Sequence, residues 1–180
     1  MHYSIADYLL DIGQNAFEAK ATEIEITLNE SEEKLLFEVK DNVCGMNKKT
    51  LVKALDPFYS DPTKHSTRKV GFGLSFLKQA AEVCDGGMEL ISTIGKGTTV
   101  AAWFRTGHID TPPLGDMATT ILALFTMDGD YNLSIHHKKN DTGYSLSRQE
   151  LLEALGDLAY TDSLSLAKTF IISQENELQK

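Results

Sequence analysis

Between Ile5 and Lys40 the hydrophobic repeat changes once, and that change restricts the fold more than any other feature of the chain. Ile5, Tyr8, Leu9, Ile12, Ala16 and Ala19 recur at helical spacing. This predicts a helix from Ile5 to Ala19 with Asp7, Asp11, Gln14, Asn15 and Glu18 on or beside its polar face. From Thr22 to Leu28 the period becomes two, with Ile24, Ile26 and Leu28 on one side, and a second strand follows from Lys34 to Lys40. One-sided helices and strands bury their apolar groups by stacking in layers. The expected fold is therefore an α/β (α+β) two-layer sandwich, a mixed sheet covered on one face by helices.

The rest of the chain fits that plan. Asn47 reads as the N-cap of a short helix through Ala54. Residues 56–70 break into Pro, Ser, Asp, Thr and Lys, a long loop of the kind that serves as a lid. Phe72 to Val83 is helical in pattern and stops at Asp85-Gly86-Gly87. Met88 to Ser92 and Thr98 to Phe104 read as a strand pair. Thr106 to Pro113 looks like a boundary, which divides the chain into a domain over 1–106 and an appendage over 107–180. Within the appendage, Leu114, Met117, Ile121, Leu122 and Phe125 predict a helix, and Tyr131 to His137 a strand. Ser147 and Glu150 form a capping box before a helix carrying Leu151, Leu152, Leu155 and Leu158.

Charge narrows the partners. A formal net charge of −9 over 180 residues disfavours nucleic acid, whose own negative charge would require a strong local basic patch. The short cluster Lys64, His65, Arg68 and Lys69 reads instead as facing phosphate. Cys44 and Cys84 lie apart, without metal-site spacing, and suit a reducing compartment. Neither a signal peptide nor a bilayer-spanning run is apparent, so the expectation is a cytoplasmic protein without membrane contact.

Four short segments follow one another in a fixed order: Asp11-Ile-Gly-Gln-Asn15-Ala, Asp41-Asn-Val-Cys-Gly45-Met46, Gly71-Phe-Gly73-Leu74 and Gly95-Lys-Gly97-Thr98-Thr99. Together they resemble the N, G1, G2 and G3 boxes of the GHKL (Bergerat-fold) ATPases, the histidine-kinase-like ATP-binding domains. Phe58-Tyr59-Ser60 is similar to the phenylalanine box of histidine kinases, and Ala19 to Ile26 looks like the matching stretch of MutL-type proteins. The resemblance covers about residues 4–105 and implies ATP and Mg²⁺ as cofactors.

It also implies roles. Asn15 offers an amide oxygen to Mg²⁺, which prefers oxygen ligands, and Asp11 one turn earlier serves as general base. Asp41 accepts a hydrogen bond from the adenine amino group, supported by Thr98, while Gly45 admits the base closely and Met46 packs beside it. Gly71, Gly73 and Leu74 open a helix whose N-terminal amides receive phosphate, with Lys69 adding charge. Taken singly these residues have plainer readings: a solvated helix face for Asp11 and Asn15, a turn aspartate for Asp41, a core methionine for Met46.

The chain departs from the family pattern at three places. Val43 and Lys69 replace the first glycines of two boxes, and the base is aspartate where many relatives carry glutamate. A histidine kinase carries its phosphoacceptor histidine on a helical domain before the ATP domain, and the pattern here begins almost at Met1. The expectation is thus a domain standing alone: a Mg·ATP-dependent ATPase or kinase acting as a regulator, an anti-sigma-type serine kinase being one form. A non-catalytic ATP/ADP sensor and a MutL-type repair fragment are the alternatives. His136 and His137 read as surface or packing residues. The leucine-rich appendage is expected to bind a protein partner or a second copy.

Overall fold

The computed structural model describes residues 4–55 and 73–180. The chain runs α1 (Ile5–Glu18), β1 (Glu23–Glu30), β2 (Lys34–Asp41), α2 (Lys48–Ala54), α3 (Gly73–Val83), β3 (Gly87–Thr93) and β4 (Gly97–Arg105). There follow α4 (Met117–Phe125), β5 (Asn132–Lys139), β6 (Thr142–Ser147), α5 (Arg148–Leu155) and α6 (Thr161–Leu178). The strands form one sheet in the order β3-β4-β2-β1-β5-β6. β1 and β5 pair in parallel and the other neighbours are antiparallel, so the sheet is mixed.

Strict alternation gives the sheet one apolar face. Ile24, Ile26 and Leu28 of β1, Phe37 and Val39 of β2, Val100, Ala102 and Phe104 of β4, and Leu133 and Ile135 of β5 are all buried. The register sets Ile26 opposite both Val39 and Ile135, so these side chains form continuous rows across the strands. Phe37 and Phe104 stack with centroids 6.5 Å apart at the centre. Each fully buried side chain of this size contributes about 1.5–3 kcal/mol. The helices cover this face through Leu9 and Ile12 of α1, Leu77 and Ala81 of α3, and Ile121 and Phe125 of α4. The result is the α/β two-layer arrangement that the periodicities predict.

Local signals explain where the helices begin. Ser4 and Asp7 form a reciprocal capping box on α1, Asn47 caps α2, Asp116 caps α4, and Ser147 with Glu150 boxes α5. The next two N–H groups of α1 are satisfied from far along the chain: Ile5 N donates to the Pro113 carbonyl and Ala6 N to that of Leu114, both at 2.9 Å. Residues beyond 106 therefore share the sheet through β5 and β6 and tie down the start of the first helix. Gly13 of α1 faces Leu124 of α4 so closely that an added Cβ would stand 2.8 Å from Leu124 Cδ2. One detail of the pattern differs. Leu158, expected within the helix that Ser147 caps, lies beyond it, because Gly156 at φ +78° ends α5 and Leu158 is buried in the connection.

Candidate functional site

α1 carries the first group. Its inward face is apolar, which leaves Asp11 half-buried at the edge and Asn15 exposed one turn on. Asp11 meets the start of α3: a Cβ built on Gly73 would stand 1.7 Å from Asp11 Oδ2. Only glycine permits that approach. The carboxylate rests where the partial positive charge of the α3 N-terminus is strongest. Leu74 is partly buried against the core and anchors the first turn of α3. Lys69 and Gly71 lie outside the described residues, as do Phe58-Tyr59-Ser60 and the cluster from Lys64 to Arg68.

Asp41 carries the second. It ends β2 on the face that bears Phe37 and Val39, opposite Thr98 in β4. Its Oδ1 accepts two backbone hydrogen bonds, from Val43 N at 3.0 Å and Thr98 N at 3.1 Å. Burial raises its pKa above the ordinary carboxylate value, and the hydrogen bonds from Val43 and Thr98 oppose that rise. The carboxylate is thus fixed through one oxygen and keeps Oδ2 for a further donor.

A serine that the box patterns do not mark ties this corner together. Ser92 Oγ accepts from Met46 N at 2.8 Å, lies 2.8 Å from Thr98 Oγ1 and donates to the Gly97 carbonyl at 3.2 Å. Its trace in the sequence is faint: a hydroxyl residue continuing the inward series Met88, Leu90, Ser92 along β3. Gly95 N also donates to the Cys44 carbonyl at 2.8 Å, so the loop after β2 is strapped to the β3–β4 hairpin at two points.

The glycines of this corner serve backbone packing. At Gly45, φ is +71° and a Cβ would stand 2.1 Å from the Thr93 carbonyl oxygen. Gly97, at φ +109°, would place a Cβ 1.9 Å from the carbonyl oxygen of Asp41. Val43, where the family pattern has glycine, is not among the residues with positive φ; the loop makes its left-handed step at Gly45 instead.

The arrangement therefore gathers Asp41, Gly45, Met46 and Thr98 at one end of β2 and β4, and Asp11, Gly73 and Leu74 at the α1–α3 contact. Asn15 stands one turn beyond Asp11 with its amide open to solvent. Residues 4–108 match the model of the histidine kinase-, DNA gyrase B- and HSP90-like ATPases. The chain belongs to this ATPase family.

Relatives agree. A putative sensor protein of Shewanella frigidimarina is 31% identical over 105 residues, covering 57% of this chain and 16% of the relative. Sensor histidine kinase YvrG of Bacillus subtilis is 30% identical over 87 residues, 48% of this chain and 15% of the kinase. WalK, a sensor histidine kinase of the same organism, is 40% identical over 78 residues, 42% of this chain and 13% of the kinase. The chain thus spans only a small part of the length of these relatives. The crystal structure of the N-terminal domain of a DNA repair protein shares the fold, with a TM-score of 0.56 and 15% identity over 86% of this chain and 57% of that one. That coverage exceeds what residues 4–108 could supply, so the shared fold takes in part of the segment beyond them. Among the described residues no helix is long and apolar enough to cross a membrane.

Proposed function

We propose that this chain binds ATP with Mg²⁺ and moves the terminal phosphoryl group to water or to a protein hydroxyl, as a cytoplasmic regulator in signal transduction. The observation that carries the reading is the fixation of Asp41. Its Oδ1 is taken by two backbone amides, which aims Oδ2 as an acceptor for the adenine amino group. An ionised carboxylate only accepts, so it favours adenine's amino donor over the carbonyl that guanine presents there. Thr98 and Ser92 hold the carboxylate's surroundings, and Met46 packs against the base.

At the other end, the amide oxygen of Asn15 is a neutral oxygen donor, open to solvent, and fits Mg²⁺ with phosphate oxygens and water completing the shell. Mg²⁺, when bound, screens the phosphate charge and stabilises the transferring group. Asp11 orients the attacking hydroxyl and takes its proton. Gly73 opens α3 toward the phosphates, and Lys69 and Gly71 are the further residues assigned to them. An anti-sigma-type serine kinase is one form of this activity. The net charge of −9 speaks against nucleic acid as the partner.

Calorimetric titration of ATP, ADP and GTP tests the pocket. Asp41→Ala should weaken ATP and ADP alike and at least tenfold, since a hydrogen bond to a charged group is worth about 1.5–3 kcal/mol. Unchanged ATP affinity in Asp41→Ala overturns the assignment.

A further inference from the structure

β5 buries Leu133, Ile135 and His137 in succession, and the third of these is an ionisable ring at a core position. His137 Nε2 lies 2.8 Å from Glu30 Oε1 at the end of β1, and Nδ1 lies 2.9 Å from Glu175 Oε1 of α6. A carboxylate offers lone pairs only, so each ring nitrogen must present an N–H. A neutral imidazole has one N–H. Two carboxylates are satisfied only by the doubly protonated ring.

Other groups surround the three residues. The Tyr144 hydroxyl of β6 donates to the same Glu175 oxygen, its ring edge-on to His137 at 5.9 Å. The register sets Lys139 opposite Glu30, two residues along from His137 on the same face, and Lys139 Nζ donates to Gln179 Oε1 of α6 at 2.6 Å. Asp116 and Glu175 line one cleft between the α4 N-terminus and α6. α4 itself, packed beneath, contributes no titratable side chain.

α6 needs these contacts. Over eighteen residues it buries only Ala167, Ile171 and Leu178, while Leu166, Phe170 and Ile172 remain exposed. Glu175 lies between Ile171 and Leu178, at the middle of the buried seam. We propose that His137 is a proton-operated latch: it fastens α6 to β1 and β5 while both ring nitrogens are protonated, and releases α6 when one proton is lost.

The direction of the switch follows from the environment. Burial alone would lower the imidazole's pKa, but the hydrogen bonds to Glu175 and Glu30, with their charges, more than offset it and raise it from 6.5 to about 8. A raised histidine value means that the latch is complete below 6.5 and is lost as pH climbs through 8. The whole rise corresponds to roughly 30-fold and is shared between Glu175 of α6 and Glu30 of β1, so α6 docking weakens several-fold once the ring is neutral.

The test uses the full chain without nucleotide, so it stands apart from the ATP reading. Imidazole resonances followed by NMR from pH 5.5 to 10 should show His137 titrating near 8. Amide exchange of residues 161–178, corrected for its intrinsic pH dependence, should lose several-fold in protection over that transition, with β1 and β2 little changed. Glu175→Gln should move the midpoint down toward 6.5 and loosen α6 already at pH 7. A His137 midpoint at or below 6.5, or α6 protection independent of pH in the unmodified chain, overturns the proposal without recourse to any variant.

Discussion

The carboxylate of Asp11 rests on the first residue of α3, where a methyl group on Gly73 would stand 1.7 Å from Oδ2. Two residues 62 positions apart in the chain thus meet at one contact, and the proposed base is seated by a missing side chain. Gly73→Ala should therefore act through Asp11. The added methyl must swing the carboxylate away, and turnover should drop at least tenfold. In a background that already carries Asp11→Asn, the same change should cost little more, because effects on one contact are not additive. Steady-state ATP hydrolysis of the four proteins checks this; independent, multiplying losses would place the role of Gly73 elsewhere.

Ser92 makes a quieter contribution. Its hydroxyl bonds to Met46 N and Thr98 Oγ1, so Ser92→Ala leaves both without that partner. The loss should be about 1 kcal/mol, a several-fold weakening of ATP and ADP binding, with the melting temperature moved by only a few degrees. Calorimetry beside a thermal melt separates these. An unaltered nucleotide affinity would mean that the strap between the two loops does not support the base site.

The raised pKa of Asp41 gives a pH dependence. Because burial pushes the carboxylate above its ordinary value, protonation sets in at higher pH than for an exposed aspartate. Adenine recognition needs the ionised form, so ATP affinity should fall as pH is lowered toward that raised value and be flat above it. Asp41→Asn, which cannot titrate, should remove the dependence along with most of the affinity. Binding isotherms between pH 4.5 and 8 decide it; a wild-type affinity constant across that range would count against Asp41 as the acceptor.

Much of this was legible in the chain itself, for a physical reason. Periods of 3.6 and 2 are properties of short windows, and so are caps such as Ser147 with Glu150; these placed α1, β1, β2, α4 and α5 near their observed bounds. What escaped depends on partners distant in sequence. Ser92 acquires its role only through the register that sets it opposite Thr98. His137 reads as a surface or packing residue until the fold brings it Glu30 from 107 residues away and Glu175 from 38. α6 lacks a side-chain cap and carries exposed Leu166, Phe170 and Ile172, which blur its apolar stripe. β6 is a short edge strand whose one buried residue is Leu146. Gly13 looked like part of a motif, whereas its position against Leu124 gives it a packing duty.

That duty makes a prediction whose sign changes with context. Gly13→Ala brings a methyl within 2.8 Å of buried Leu124 Cδ2, an overpacking that costs about 1–3 kcal/mol. Against it stands the better helix propensity of alanine, about 1 kcal/mol. The single variant should therefore be less stable than the parent, or at best equal. Leu124→Ala alone opens a cavity and should cost about 2–5 kcal/mol. With Leu124 shortened, the methyl at residue 13 has room, and Gly13→Ala should then stabilise. Urea melts of the four proteins read the cycle; additive effects would show that α1 and α4 do not meet at this pair.

Asp11 and Asn15 allow binding and turnover to be separated. Asn15 is proposed to hold Mg²⁺, so Asn15→Ala should weaken ATP binding in the presence of magnesium and leave the weaker binding in EDTA unchanged. Asp11 is proposed to touch the attacking hydroxyl alone, so Asp11→Asn should bind Mg·ATP nearly as the parent does. Its turnover should fall by about 10²–10⁴-fold, the usual contribution of a general base. The same loss is expected for transfer to a protein hydroxyl, which needs the same proton acceptor. The aspartate is one methylene shorter than the glutamate of many relatives, and its contact with Gly73 draws it toward α3. Asp11→Glu is therefore the informative partner: a faster enzyme would show that reach limits the parent, and a slower one that the Gly73 contact sets the geometry. Should Asp11→Asn hydrolyse ATP as fast as the parent, the base lies elsewhere. A parent chain that binds Mg·ATP tightly and turns over none of it would make the protein a nucleotide sensor, with Asp11 serving the α1–α3 contact and no chemistry.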